Sequence, residues 1–450
     1  MNKKIILLLS IFIFLLTPYI KASEKSLTLE ECINFALENN SSIEVAQKQI
    51  DVTGANIKEI NAGKYPRIYV LGSARKCEYQ TGYMDFSLSP PNPDLTDGKQ
   101  IYLNSDNFDA SMAVEISQTV YDGGDIHIKL IAAQLEKENA EINMESVKED
   151  VSYKVKLAFY SALKSKDQFR LSEENVKTGE EHLKLAKALF DAGLVPQVDM
   201  VTAEVALTKA SMLFSQAQNE YNKSVNNLNT AMGRELEDTV DIYGDSSYIL
   251  LHIDEKSVME RALTGRCEIR QLNLALSNQQ DSVSNIEALI KPTINANAGY
   301  IVRNNNSIGR KGFYFEVGLN LPIFNVADRA ELEKIRAKTA EAEKQKELLV
   351  STVKLEVKNA LLDVKSAESC IEIAEKEVEL ALLHLQISEG KYKQGAGTIM
   401  EVTNSQLNLM KSKTDYINAI YNYKIALATV EHVANIKLED VRQKNDLTDK

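Results

Sequence analysis

Four segments of this chain alternate apolar with polar residues, and each approaches the length one strand needs to cross a bilayer. The clearest spans 107–121, where Phe108, Ala110, Met112, Val114 and Ile116 alternate with Asp109, Ser111, Ala113, Glu115 and Ser117. A second, over 313–324, sets Phe313, Phe315, Val317, Leu319 and Leu321 against Tyr314, Glu316, Gly318 and Asn320. A third, over 293–303, sets Ile294, Ala296, Ala298 and Tyr300 against Asn295, Asn297 and Gly299. The fourth, over 66–74, alternates most weakly. Such patterning gives a strand with one apolar and one polar face. It suits a half-buried sheet on a soluble core, or a barrel wall between lipid and a wet lumen.

Two features elsewhere favour the barrel wall. Residues 126–191 hold no proline and one glycine, Gly179, and residues 327–389 hold neither. As helices rising about 1.5 Å per residue, these tracts reach roughly 95–100 Å and offer no globular core to cover a sheet. At the N-terminus, Lys3 and Lys4 precede an apolar run over 5–16, then Thr17-Pro18 and the small Ala22. That is the layout of a secretory signal peptide over residues 1–22, cleaved after Ala22. The run is shorter than the roughly 20 residues of a spanning helix, and Cys32 lies too far downstream to become an acylated N-terminal cysteine. The apolar strand residues Phe108, Met112, Val114, Phe313, Phe315, Val317 and Leu319 are therefore expected to face lipid. Four strands leave open edges, whose unpaired N–H and C=O groups hydrocarbon does not tolerate. Bacterial barrels need about eight strands or more, so several chains must share one. Three copies would supply twelve strands; the pattern itself requires association without fixing the number.

The chain is also a duplication. A shift of 226 positions lays Ala36-Leu37 on Ala262-Leu263, Ile43 on Ile269 and Pro66 on Pro292. A shift of 202 lays Gly193 on Gly395, Asp199 on Glu401, Leu207 on Leu409 and Tyr221 on Tyr423. The shift changes because the first copy carries a longer segment at 76–106, with Ser89-Pro90-Pro91-Asn92-Pro93, which reads as an exposed loop. The expected order is a first repeat over 23–232, with a long helix over 124–191 and a return helix over 197–232. A linker over 233–252 precedes the second repeat over 253–435, with helices over 327–390 and 398–434, and a polar tail over 436–450. Glycines at 193, 395 and 397 supply the reversals between long and returning helices. Val402, Leu409, Tyr416, Tyr423 and Val430 recur every seven residues, as do Met200, Leu207, Phe214, Tyr221 and Leu228. That spacing argues for coiled-coil packing. Glu204, Gln406 and Lys413 at intervening inward positions favour a wide assembly over a tight zipper.

Composition excludes more than it proposes. The formal charge of −12, falling to −15 once Lys3, Lys4 and Lys21 leave, comes without a basic cluster and argues against nucleic acid. Cys32, Cys77, Cys267 and Cys370 show no paired spacing, so no required disulfide is expected. His127, His182, His252, His384 and His432 are isolated and read as helix-surface or interface residues. No phosphate loop or nucleophile elbow occurs. Neither cofactor, metal nor catalysis is expected.

In order along nearly the whole chain, these features resemble the TolC-type outer-membrane efflux proteins. The carriers are Leu27-Thr28-Leu29-Glu30-Glu31 leading to Phe35-Ala36-Leu37-Glu38-Asn39-Asn40, Tyr121-Asp122-Gly123-Gly124, Leu321-Pro322-Ile323-Phe324, and the tips at 190–195 and 392–395. The resemblance implies an α+β chain of mainly long helices. It implies a homotrimer whose twelve-stranded barrel in the outer membrane continues as a coiled-coil helical barrel in the periplasm. Its implied partners are a periplasmic adaptor (membrane fusion protein) and an inner-membrane transporter. Gly193, Leu194, Gly395 and Ala396 match the adaptor-docking tips. Tyr392 and Asp199 match two members of a tyrosine–arginine–aspartate link that closes the family's mouth, but Gly397 stands where the arginine is expected. Glu401 keeps the first of two acidic positions of a cation-selecting ring, and Asn404 replaces the second. Two other readings fit the helices: a periplasmic coiled-coil adaptor, and a surface structural protein. Neither calls for four lipid-facing strands within a full-length duplication.

Overall fold

The computed structural model describes residues 26–79, 105–236, 240–245, 247–251, 253–286, 291–305, 308–323 and 326–436. The expected signal peptide, the proline-bearing stretch 89–93, His252, Phe324 and residues 437–450 lie outside the described residues. The elements are α1 Leu29–Asn39, α2 Ser41–Ala62, β1 Arg67–Tyr79, β2 Ser105–Tyr121, α3 Asp125–Asp191 and α4 Gln197–Met232. The second copy follows with α5 Glu255–Gly265, α6 Cys267–Ile286, β3 Thr293–Asn305, β4 Ile308–Asn320, α7 Val326–Lys393 and α8 Ile399–Ala434. They fall into two compact units. One is helical (residues up to 49, 140–272 and from 345 on); the other holds the sheet and the helix ends that join it (50–139 and 273–344).

The helical unit repeats one packing scheme twice. In the first copy Cys32 and Ala36 of α1 bury against Val151, Val155 and Phe159 of α3 and Leu228 and Met232 of α4. In the second, Val258 and Ala262 of α5 do so against Val353, Val357 and Ala360 of α7 and Val430 and Ala434 of α8. Small or β-branched side chains one turn apart let the short helix lie close on the long one. Each side chain the size of Leu228 contributes about 1.5–3 kcal/mol through burial. The starts are capped alike. Thr28 Oγ1 accepts from the Glu31 amide while the Glu31 carboxylate accepts from the Thr28 amide, a capping box. Its counterpart Asp254 accepts from the amides of Lys256 and Ser257. The returning helices end in matching left-handed caps, at Gly233 (φ 78°) and Asn435 (φ 50°). Burial pushes the Cys32 thiol up to about 11, helped by Glu31, and the Cys267 thiol likewise, helped by Glu149. Both thiols stay protonated and unpaired, and Cys370 is free and exposed.

In the other unit the four strands form one antiparallel sheet in the order β1-β2-β3-β4. Apart from a register shift between Thr119 and Tyr121 of β2, pairing is regular, so each face is a continuous lattice. One row reads Val70, Val114, Tyr300, Phe313, and the next reads Ile68, Ile116, Ala298, Phe315. The opposite face carries Tyr69, Glu115, Gly299 and Tyr314 in one row and Arg67, Ser117, Asn297 and Glu316 in another. β1 and β4 each leave one edge unpaired within the protomer. Strand ends differ from expectation. β1 continues past residue 74 to Tyr79, and β4 starts at Ile308 rather than 313. β4 also stops at Asn320, leaving Leu321 outside the ladder, because Pro322 has no N–H to donate. Among the described residues no helix is long and apolar enough to cross a membrane.

Gly233 provides the test of this packing. A Cβ there would meet the Asn39 carbonyl oxygen at 3.0 Å, in a backbone conformation L residues resist. Gly233→Ala is expected to cost about 1–2 kcal/mol from the left-handed conformation alone, read as a lower thermal midpoint of the helical circular-dichroism signal. An unchanged midpoint would refute the tight α1–α4 junction.

Candidate functional site

Two places carry the features predicted to work, one in each unit. In the helical unit the long helices reverse through twin turns. Gly193 donates to Phe190 O at 2.8 Å and Leu194 to Leu189 O at 2.9 Å. Gly395 donates to Tyr392 O at 3.0 Å and Ala396 to Lys391 O at 2.9 Å. Both are Schellman turns around a glycine at positive φ, 73° and 72°. Nothing stands within 4 Å of where a side chain would project from either glycine. Leu194 beside the first is 72% exposed.

Behind the turns, Tyr392 is buried in a cluster with Ala186, Ala203, Leu385, Ile399, Val402 and Leu409. Its ring therefore belongs to the packing of the protomer. Its hydroxyl is buried and has no partner in full hydrogen-bond geometry. Burial, and then the Asp199 carboxylate beside it, push the phenol above its ordinary range. The fold thus brings Tyr392 and Asp199 together from separate copies of the repeat. Glu401 and Asn404 lie exposed, one turn apart at the start of α8, where Thr398 Oγ1 accepts from the Glu401 amide. A Cβ at Gly397 would meet Lys391 Cβ at 3.0 Å and both Tyr392 N and Glu401 Oε2 at 3.3 Å. Glycine is what lets the Glu401 carboxylate lie against the turn.

Sequence reasoning missed a polar layer just behind this cluster. His384 Nδ1 lies 2.8 Å from Ser405 Oγ, which is 2.9 Å from Ser388 Oγ and donates to Glu401 O at 2.7 Å. His182 Nε2 lies 3.2 Å from Glu389 Oε1. His182 and His384 are repeat equivalents at the shift of 202, a signal that could have singled them out. Of the residues read as inward, Gln406 donates to Asn175 at 3.0 Å, whereas Glu204 is exposed in the protomer. No cluster of three His, Cys, Asp or Glu able to hold a metal occurs among the described residues.

On the sheet, Met112, Val114, Phe313, Phe315, Val317 and Leu319 share one face and are exposed, Phe313 at 88%. The backbone places Phe108 on the same face, and its side chain is outside what is described. The long and returning helices also carry bare apolar stripes. On α7, Leu348, Leu355 and Leu362 recur every seven residues, and Ile373, Leu380 and Ile387 resume the spacing; on α4, Val198, Val201, Val205 and Met212 are exposed.

The sequence profile described as "Outer membrane efflux protein" matches residues 32–234 and 258–435, one stretch in each repeat. Nodulation protein T of Rhizobium leguminosarum bv. trifolii is 22% identical over 410 residues, spanning 88% of this chain and 82% of that protein. The probable efflux pump outer membrane protein TtgC of Pseudomonas putida is 21% identical over 397 residues, 86% of this chain and 78% of that one. Among solved structures, the Campylobacter jejuni CmeC outer membrane channel superposes with a TM-score of 0.71 at 14% identity, covering 90% of this chain and 85% of that chain. The open state of the Neisseria gonorrhoeae MtrE outer membrane channel gives 0.69 at 16% identity, covering 91% and 89%.

Tyr392 separates packing from polar linkage at the tip. Tyr392→Phe is expected to leave thermal stability within about 1 kcal/mol, since the hydroxyl meets only the Asp199 carboxylate and not in full hydrogen-bond geometry, and to leave resting conductance unchanged. Tyr392→Ala is expected to cost about 3–5 kcal/mol. A large rise in resting conductance for the Phe variant would show instead that the hydroxyl–carboxylate approach holds the mouth.

Proposed function

The chain belongs to the outer membrane efflux protein family, and from that premise we propose that three copies assemble one passive duct. Each contributes four strands to a twelve-stranded barrel in the outer membrane and two helical hairpins to a tunnel in the periplasm. One observation carries this reading: an in-register sheet with two open edges and a bare apolar face. Such a sheet is unstable in water and unsealed in lipid, and joining β1 of one copy to β4 of the next removes both defects. The edges differ, so the contact is head-to-tail and closes as a ring. The bare stripes on α7 and α4 supply further helical contacts between neighbouring copies.

As a member of this family the protein is the outer-membrane part of an efflux system. The Schellman tips at Gly193 and Gly395 are the docking points for the hairpin of a periplasmic adaptor, itself bound to an inner-membrane transporter. An open glycine turn lets that hairpin approach the backbone. The duct performs no chemistry of its own, and cargo is chosen by the transporter. Three Glu401 carboxylates ring the periplasmic mouth and favour cations there.

Two experiments test this. Leu355→Asp/Leu362→Asp is expected to abolish the heat-labile trimer on gels while monomers keep their helical circular dichroism; normal trimers would defeat the proposed helix contact. Glu401→Gln is expected to lower the cation-to-anion permeability ratio in single-channel recordings. A helix-start acid with no other role would instead change stability by about 0.3–1 kcal/mol and leave selectivity untouched.

A further inference from the structure

On the polar face of the sheet one aromatic side chain runs along the strands' row instead of standing away from it. Tyr314 of β4, Gly299 of β3 and Glu115 of β2 share one row of the ladder. The Tyr314 hydroxyl donates to the Glu115 carboxylate, two strands away. To reach it the ring crosses β3 above Gly299, where a Cβ would meet Tyr314 Cε1 at 2.8 Å and Cζ at 2.9 Å. Glycine is what lets the ring lie so close to the backbone. β3 covers the side of the ring that faces the sheet, and Tyr314 stays half-exposed. Glu316 follows two residues along β4 on the same face, about 7 Å away at strand rise, and is exposed. The described cations of this face stand further off. Arg303 and Arg310 lie four residues along the ladder, about 13 Å, and Arg67 lies three strands across from β4, about 14 Å.

An aromatic ring attracts a cation, and quaternary ammonium groups are the ligands that use this attraction best. A phenol hydroxyl that donates to a carboxylate leaves its ring richer in electrons, which strengthens the effect. A small inorganic cation keeps its water and gains little from a ring; an organic ammonium gains from the ring and the two carboxylates together. We infer that Tyr314, flanked by Glu115 and Glu316, is a site for organic cations on the lumen wall of the barrel. This rests on the duct reading above, which turns the polar face toward the lumen and repeats the site three times around it. The site belongs to the sheet, whereas the Glu401 carboxylates belong to the helical unit. A cargo that carries an ammonium group beside an apolar body is retained on the wall as it passes, and an anionic one is not.

The test is block of sodium current through single trimers in planar bilayers, with benzyltrimethylammonium as the probe and benzyl alcohol as its neutral control. Glu401→Gln trimers are used throughout, so that the acids proposed at the mouth do not contribute. Benzyltrimethylammonium is expected to halve conductance at a concentration at least tenfold below that of benzyl alcohol. Tyr314→Leu is expected to raise that half-blocking concentration at least fivefold. Tyr314→Phe keeps a ring without its anchor and is expected to raise it about twofold. Glu115→Gln keeps an acceptor for the hydroxyl without the charge and is expected to raise it about threefold. Should Tyr314→Leu fail to form trimers, these two variants decide. An unchanged half-blocking concentration in Tyr314→Leu, or in both other variants, or equal block by benzyl alcohol, overturns the inference. Heat-labile trimers that conduct nothing overturn the duct itself, and the site with it.

Discussion

The organisation of this protein follows from the backbone groups along the free edges of β1 and β4, each 13 residues long. In water those groups are solvated; in hydrocarbon each costs several kcal/mol. A single protomer therefore has no stable place in the membrane, however apolar its outer face. Association must precede insertion or accompany it. The parts that can associate in water are the helices, whose bare heptad stripes need no lipid. Assembly led by the helices, which then presents three sheets edge to edge, meets both constraints without exposing an open edge to lipid.

Duplication makes that economical. Each copy supplies a hairpin of strands and a hairpin of helices, so three chains place six near-equivalent units around an axis. Equivalence is close wherever packing alone decides: Val155 and Val357 are both fully buried, and Ala36 and Ala262 likewise. It fails at the tips. Behind the second turn lie Ser388 and Ser405, bonded together and to His384, where the first copy has Ala186 and Ala203. Six hairpins around the mouth are thus two kinds of three. Any opening that moves one kind against the other keeps threefold symmetry while changing the bore.

What was legible in the sequence tracks how many physical demands act on a residue. Strand faces could be read because a period of two leaves no ambiguity once pairing is in register, as in the row Val70, Val114, Tyr300, Phe313. Helix extents could be read from missing prolines. The end of β4 was misplaced because alternation continues through Leu321 while Pro322 ends the ladder. The returning seams were half legible. Heptads mark an apolar stripe without saying whether it meets the same chain or another copy. Leu355 and Val357 show the difficulty: two apolar residues two positions apart in α7, one 60% exposed and the other 1%. Both stripes serve packing, and only the fold separates the inner from the outer.

Gly397 stands where the resemblance to the family implies an arginine. A side chain at this position would start 3.0 Å from Lys391 Cβ and 3.3 Å from the Glu401 carboxylate, so the carboxylate would have to give way. Glycine at this position and the carboxylate folded against the turn therefore go together. A positive group at this corner would neutralise the acid beside it and tie the tip by charge. In the proposed duct, glycine brings no cation to the Glu401 acid, and closure falls to packing through the buried Tyr392 ring and the apolar cluster around it. On the adaptor docking proposed above, a mouth held by packing responds to a hairpin wedged at the exposed Leu194 and Ala396. It is only weakly sensitive to salt, because burial, unlike an exposed ion pair, is not screened.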